Sequence, residues 1–201
     1  MKILLKNISI KGEILADVLI ENGKIFKIAK PNSIIDPQAE NIDCTGKILL
    51  PGFVDLHTHL REPGREDSET IASGSAAAAK GGFTAVHAMA NTLPVADTAG
   101  VVEQVWNLGK SVGLVDVIPI GAVTIGLQGE QLAELGAMAD SKARVRIFSD
   151  DGKCVFDPVI MRRALEYVKS FNGIIAQHAQ EPKLTINSQM NESELSDRKS
   201  V

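Results

Sequence analysis

From Ile48 onward, apolar runs of strand length alternate with stretches of helical composition, and this alternation constrains the fold more than any other feature. The runs Phe53 to His57, Phe83 to Met89, Val115 to Ala122, Val145 to Phe148 and Gly173 to His178 read as strands. Ser68 to Lys80, Thr98 to Ser111, Glu130 to Asp140 and Pro158 to Phe171 read as helices between them. Pro158 suits a first helical turn, with Asp157 ahead of it as a cap. Strands separated by helices build βαβ units, and βαβ units build a parallel sheet. With 44% hydrophobic residues in 201, the chain has enough apolar material for a sizeable core.

Residues 1–50 follow a different pattern. Ile3 to Ile10, Ile14 to Glu21, Lys24 to Ala29 and Glu40 to Cys44 read as short strands, and Asn22-Gly23 is a strong hairpin signal. Pro31 and Pro37 bracket a looser connection. The expected organisation is a small β unit over 1–50, an α/β unit over 51–186 and a polar, charge-rich tail over 187–201.

Charge and cysteine usage narrow the function classes. A net charge of −4 gives no electrostatic reason to expect nucleic acid or an acidic membrane surface. Cys44 and Cys154 lack metal-site or redox spacing and fit a reducing, cytoplasmic setting. MKILLKNISI carries charges within its apolar run, unlike a signal peptide, and no stretch reaches the roughly 18 apolar residues of a membrane span.

The chemistry concentrates in Ile48 to Pro63, ILLPGFVDLHTHLREP. On a strand, His57 and His59 point to one side, with Arg61 following as the strand runs out. Two imidazoles so placed can reach one metal ion, and a guanidinium beyond them can hold an anionic substrate. A pair of partly buried, hydrogen-bonded histidines is the other arrangement this spacing allows. Asp150-Asp151-Gly152 carries a turn signal, and His178 ends an apolar run where a satisfied core histidine is common.

The segment Asp55 to Gly64 resembles the first metal-binding strand of the amidohydrolase superfamily, and with Arg61-Glu62-Pro63-Gly64 it resembles the class I bacterial dihydroorotases. Gly81 to Thr84, Ala88 to Val95, Phe148 to Gly152 and Ala176 to Ala179 resemble that family's later landmarks in the same order. The resemblance implies that His57, His59, Asp151 and His178 bind one or two divalent ions, zinc foremost, with Asp151 bridging. It implies that Arg61 and Asn91 hold the substrate's carboxylate. Asp150 is expected to orient a neighbour, His87 to be structural, and Lys153 does not match the family's carboxylated lysine. Ala90 stands where the family often has proline, and Gln180-Glu181 where it often has Glu-Asp.

The implied fold is a (β/α)₈ barrel, of which these strands supply about five of eight, preceded by part of a β-sandwich. In that fold, polar residues at the C-terminal strand ends build the active site. The implied reaction interconverts N-carbamoyl-L-aspartate and dihydroorotate. The family's further histidine ligand and its proton-shuttling aspartate are expected beyond Val201, so the chain reads as the N-terminal half. Alternatives are a dihydropyrimidinase or allantoinase, or a non-catalytic chain, either an inactive remnant of the family or a partner of aspartate transcarbamoylase. The other partner the resemblance suggests is a complementing polypeptide.

Overall fold

The computed structural model describes residues 1–188 together with Ser193 and Glu194, so most of the stretch read as a polar tail lies outside the described residues. The chain divides into two compact units, Met1–Gly52 and Phe53–Val201.

The first unit is a five-stranded sheet: β1 (Lys2–Ile10), β2 (Ile14–Glu21), β3 (Lys24–Ala29), β4 (Glu40–Asp43) and β5 (Ile48–Leu49). Its order is β3-β2-β1-β4, with β5 also pairing β1. The β2–β3 hairpin turns at Asn22 (φ 51°) and Gly23 (φ 75°), the two left-handed residues that a tight hairpin requires. Leu4 and Leu19 pack with Ile34 and Ala39, while Ile8 and Val18 pack with Cys44. Asp17 on β2 is fully buried, and its carboxylate accepts the backbone N–H of Asn7 at 3.1 Å, where the β1–β2 register shifts.

The second unit alternates strands and helices. Strands β6 (Phe53–Thr58), β7 (Phe83–Ala88) and β8 (Asp116–Pro119) form a parallel sheet in that order. Strands β9 (Ile147–Phe148) and β10 (Ile174–Ile175) form a parallel pair. A bridge between Gly121 and Phe148 links the two sheets. The helices are α1 (Ile71–Lys80), α2 (Ala99–Val112), α3 (Leu135–Asp140) and α4 (Pro158–Val168). Asp157 caps α4 as expected, accepting from the N–H groups of Val159 (2.7 Å) and Ile160 (3.1 Å).

Strands β9 and β10 are shorter than the runs Val145 to Phe148 and Gly173 to His178, and α4 ends at Val168 rather than Phe171. Three further elements differ from the sequence reading, each for a backbone reason. Helix α3 starts at Leu135 rather than Glu130, because the segment before it pairs with the chain after β8: Ala133 N–H donates to Val123 O at 2.9 Å and Thr124 bridges Leu132. Helix α1 starts at Ile71 because Thr70 caps it, with reciprocal 3.0 Å bonds between Thr70 and Ser73. Strand β8 ends at Pro119, after which the chain changes partners. Ile120 N–H still bonds Ala88 O, whereas Gly121 N–H bonds Ile147 O.

The main core of this unit gathers Val102, Val123, Leu135, Met138, Val145 and Phe148, all fully buried. A second cluster sets Leu60 and Ile71 against Val86, Val105 and Val117. Phe53, Val54 and Leu56 on β6 and Ile174 on β10 remain more than half exposed.

Candidate metal centre

Strand β6 delivers His57 near its end and His59 just beyond it. The two rings stand edge to face with their Nε2 atoms 3.2 Å apart, so the alternation read from His-x-His brings both to one side. Asp151 follows β9, its side chain only 7% exposed. One carboxylate oxygen lies 3.2 Å from His57 Nε2 and the other 3.4 Å from His59 Nε2. His57, His59 and Asp151 thus converge with one donor atom each. His178, two residues past Ala176, reaches the group through Asp151 alone: its Nδ1 is 3.4 Å from Oδ1, and its Nε2 is 3.2 Å from Gln180 Oε1.

These residues fit a divalent cation. Two ligand atoms each 2.0–2.1 Å from a tetrahedral zinc would stand about 3.3 Å apart, close to the spacings just given. Two imidazoles and a carboxylate also make a borderline-soft donor set suited to zinc and its neighbours.

Asn91, in the loop after β7, sits inside this group. Its Oδ1 is 3.0 Å from His59 Nδ1, and its Nδ2 donates to Asp151 Oδ2 at 3.2 Å. Arg61 has a left-handed backbone (φ 59°) where β6 has ended, and its guanidinium is partly exposed and makes no hydrogen bond or ion pair among the described residues. The loops carrying Arg61 and Asn91 are joined by Leu93 N–H donating to Pro63 O at 3.0 Å.

Asp150 turns away from the cluster. Its buried carboxylate accepts the N–H groups of Val123 (2.7 Å) and Thr124 (3.0 Å) and the Thr124 hydroxyl. Burial pushes this carboxyl above its ordinary range, and the Thr124 and Val123 hydrogen bonds partly offset the rise. The bonds tie the end of β9 to the chain after β8 and so hold the backbone from which Asp151 projects. His87 is nearly buried within β7, its Nδ1 3.1 Å from Asp55 O.

Beside His178 opens a cavity of about 330 Å³, lined by Leu127, Lys153, Cys154, Phe156 and Gln180 among others. The sequence reading did not anticipate Thr124 or Gln180. Thr124 acquires its contact only through the fold, whereas Gln180 meets His178 two residues away along the chain.

Comparisons with known proteins bear on descent and on fold. A family model described as dihydro-orotase-like matches residues 46–200. The chain is 62% identical over 195 residues to a dihydroorotase of Streptomyces coelicolor, covering 97% of this chain and 45% of that protein. It is 55% identical over 199 residues to a dihydroorotase of Mycobacterium tuberculosis, covering 98% and 46%. The chain therefore spans a little under half the length of these curated relatives. Among solved structures, it resembles an L-hydantoinase (dihydropyrimidinase) from Arthrobacter aurescens with a TM-score of 0.73 at 22% identity, covering 90% of this chain and 41% of that one. That likeness speaks to the fold. The family match over three quarters of the sequence speaks to descent: the chain belongs to the dihydroorotase-like family.

Proposed function

We propose that this chain carries a metal-binding part of a dihydroorotase, acting on the cyclic amide dihydroorotate and on N-carbamoyl-L-aspartate. The observation that carries the reading is the convergence of His57, His59 and Asp151, with His178 against the same carboxylate. These four would hold one or two divalent ions, zinc foremost. A bound ion supplies Lewis-acid polarisation of an amide carbonyl and lowers the pKa of water toward neutrality.

The chain's own residues then do the binding and orienting. Arg61, with a fork of donors not engaged among the described residues, grips the substrate carboxylate, which an ammonium would hold only as a point charge. Asn91 adds an amide donor beside it, and Asp150 holds the strand end that presents Asp151.

In architecture, we read β6 to β10 as five strands of a (β/α)₈ barrel over 51–186, with 1–50 as part of a β-sandwich. A cytoplasmic setting goes with this reading and is supported by two unpaired cysteines. Association with aspartate transcarbamoylase, or with a polypeptide that completes the barrel, would be tested by co-purification. The carboxylate grip at Arg61 favours dihydroorotate over the uncharged rings of hydantoin-type substrates.

The test is metal analysis of the purified chain joined to a dihydroorotate hydrolysis assay. Stoichiometric zinc, lost in His59→Ala, is the expected result. Absence of metal, or turnover of hydantoin or allantoin alone, would overturn it.

A further inference from the structure

The side chain of Asn91 is usefully placed for more than contact with substrate, because both ends of its amide are engaged by members of the donor set. Ionised Asp151 is an acceptor only, so the atom of Asn91 facing Asp151 Oδ2 at 3.2 Å has to be the NH₂ group. A flipped amide would set a carbonyl oxygen against a carboxylate oxygen. With the amide so oriented, its oxygen faces His59 Nδ1 at 3.0 Å, and that nitrogen has to carry the hydrogen. In the neutral ring the lone pair of His59 then lies on Nε2, the atom 3.2 Å from His57 Nε2 and 3.4 Å from Asp151 Oδ2.

We infer that Asn91 is a positioning residue of the metal centre: one amide holds His59 in its metal-binding tautomer and holds Asp151 in the orientation that faces both histidines. This rests on the metal reading proposed above. The arrangement also answers a topological need. Strand β6 pairs with β7, whereas β9 pairs with β10 and meets the chain after β8 at the Gly121–Phe148 bridge, so His59 and Asp151 follow strands that are not paired with each other. Asn91, on the loop after β7, spans that gap. The amide nitrogen has two hydrogens and Asp151 takes one, which leaves a donor for a substrate carboxylate. Positioning and substrate contact are therefore compatible in one side chain.

Two measurements on the full chain test the inference. The first is nitrogen-detected NMR of the imidazoles in metal-free wild type, which should show His59 as the Nδ1–H tautomer; the Nε2–H tautomer would overturn the inference even if no variant folds. The second is zinc affinity by competition with a chromophoric chelator, for wild type and Asn91→Ala. Loss of a partner that orients metal ligands typically costs 10- to 100-fold in affinity, and a fall of about that size is expected in Asn91→Ala. Equal affinity in both proteins would overturn the role of Asn91 while leaving the metal centre standing. A wild type that takes up no zinc would overturn the metal reading and this inference together. A residue that only anchored substrate would move KM and leave both readouts unchanged.

Discussion

Gly64 and Leu93 meet so closely that a Cβ added at Gly64 would lie 2.2 Å from the Leu93 carbonyl oxygen. Gly64 also has φ of 101°, which side chains with a Cβ rarely adopt. This contact, with the Leu93–Pro63 hydrogen bond, locks the loop that carries Arg61 to the loop that carries Asn91. Gly64→Ala should therefore cost more than about 1 kcal/mol. It should also separate the two loops and, under the function proposed above, weaken dihydroorotate binding, which thermal melts and ligand titration would show together.

Removing the Asp150 carboxylate should destabilise the protein without touching the donor atoms. Asp150→Ala leaves the N–H groups of Val123 and Thr124 without their acceptor in a buried place. Unsatisfied buried donors cost about 1–3 kcal/mol each, so a loss of roughly 2–6 kcal/mol is expected in denaturant melts. Asp150→Asn keeps an acceptor oxygen and should recover part of that loss.

Phe148 tests the main core. It is fully buried and meets Phe171 at 5.9 Å between ring centroids. Phe148→Ala should cost about 3–5 kcal/mol, since the cavity left behind adds to the lost transfer energy. Chemical denaturation would measure it.

The ion pair of Lys2 and Asp36, 3.0 Å apart, predicts the pH response of the first unit. The Gln38 N–H, then Lys2, holds the Asp36 carboxyl below its usual range, and the Asp36 hydrogen bond raises Lys2. Stability from Asp36 is present above its unfolded pKa and is lost as pH falls through its lower folded value. Stability from Lys2 is full below its unfolded pKa and is lost as pH rises through its higher folded value. Asp36→Asn should flatten both limbs in melts run from acid to alkaline pH.

The exposed apolar side chains of Phe53, Val54, Leu56 and Ile174 lie on edge strands of their sheets. Such edges invite further pairing. The purified chain should bind ANS and self-associate with concentration, and Leu56→Lys should reduce both. A monomeric, ANS-silent protein with a cooperative melt would contradict this.

The alternating β/α order, the Asn22-Gly23 hairpin and the Asp157 cap on α4 were legible because each depends on neighbours within a few residues. The same holds for the pairing of His57 with His59, which follows from the two-residue period of a strand. Asp151 and His178 could be picked out by resemblance, but their approach to the histidines could not be read from local pattern. The false start of α3 has the same origin: Glu130 to Glu134 has helical composition, yet its backbone is taken by Val123 and Thr124.

By itself, then, the order of residues determined the strand and helix rhythm, the family and which side chains carry donor atoms. Only the tertiary structure decided that Asn91 joins His59 to Asp151, that Asp150 faces Val123 and Thr124, and that Gly64 gives way to Leu93. Those contacts link residues 26 to 60 positions apart. Hydrogen bonds and steric contacts of a few ångströms act through space, and separation along the chain does not encode them until the strands are placed side by side.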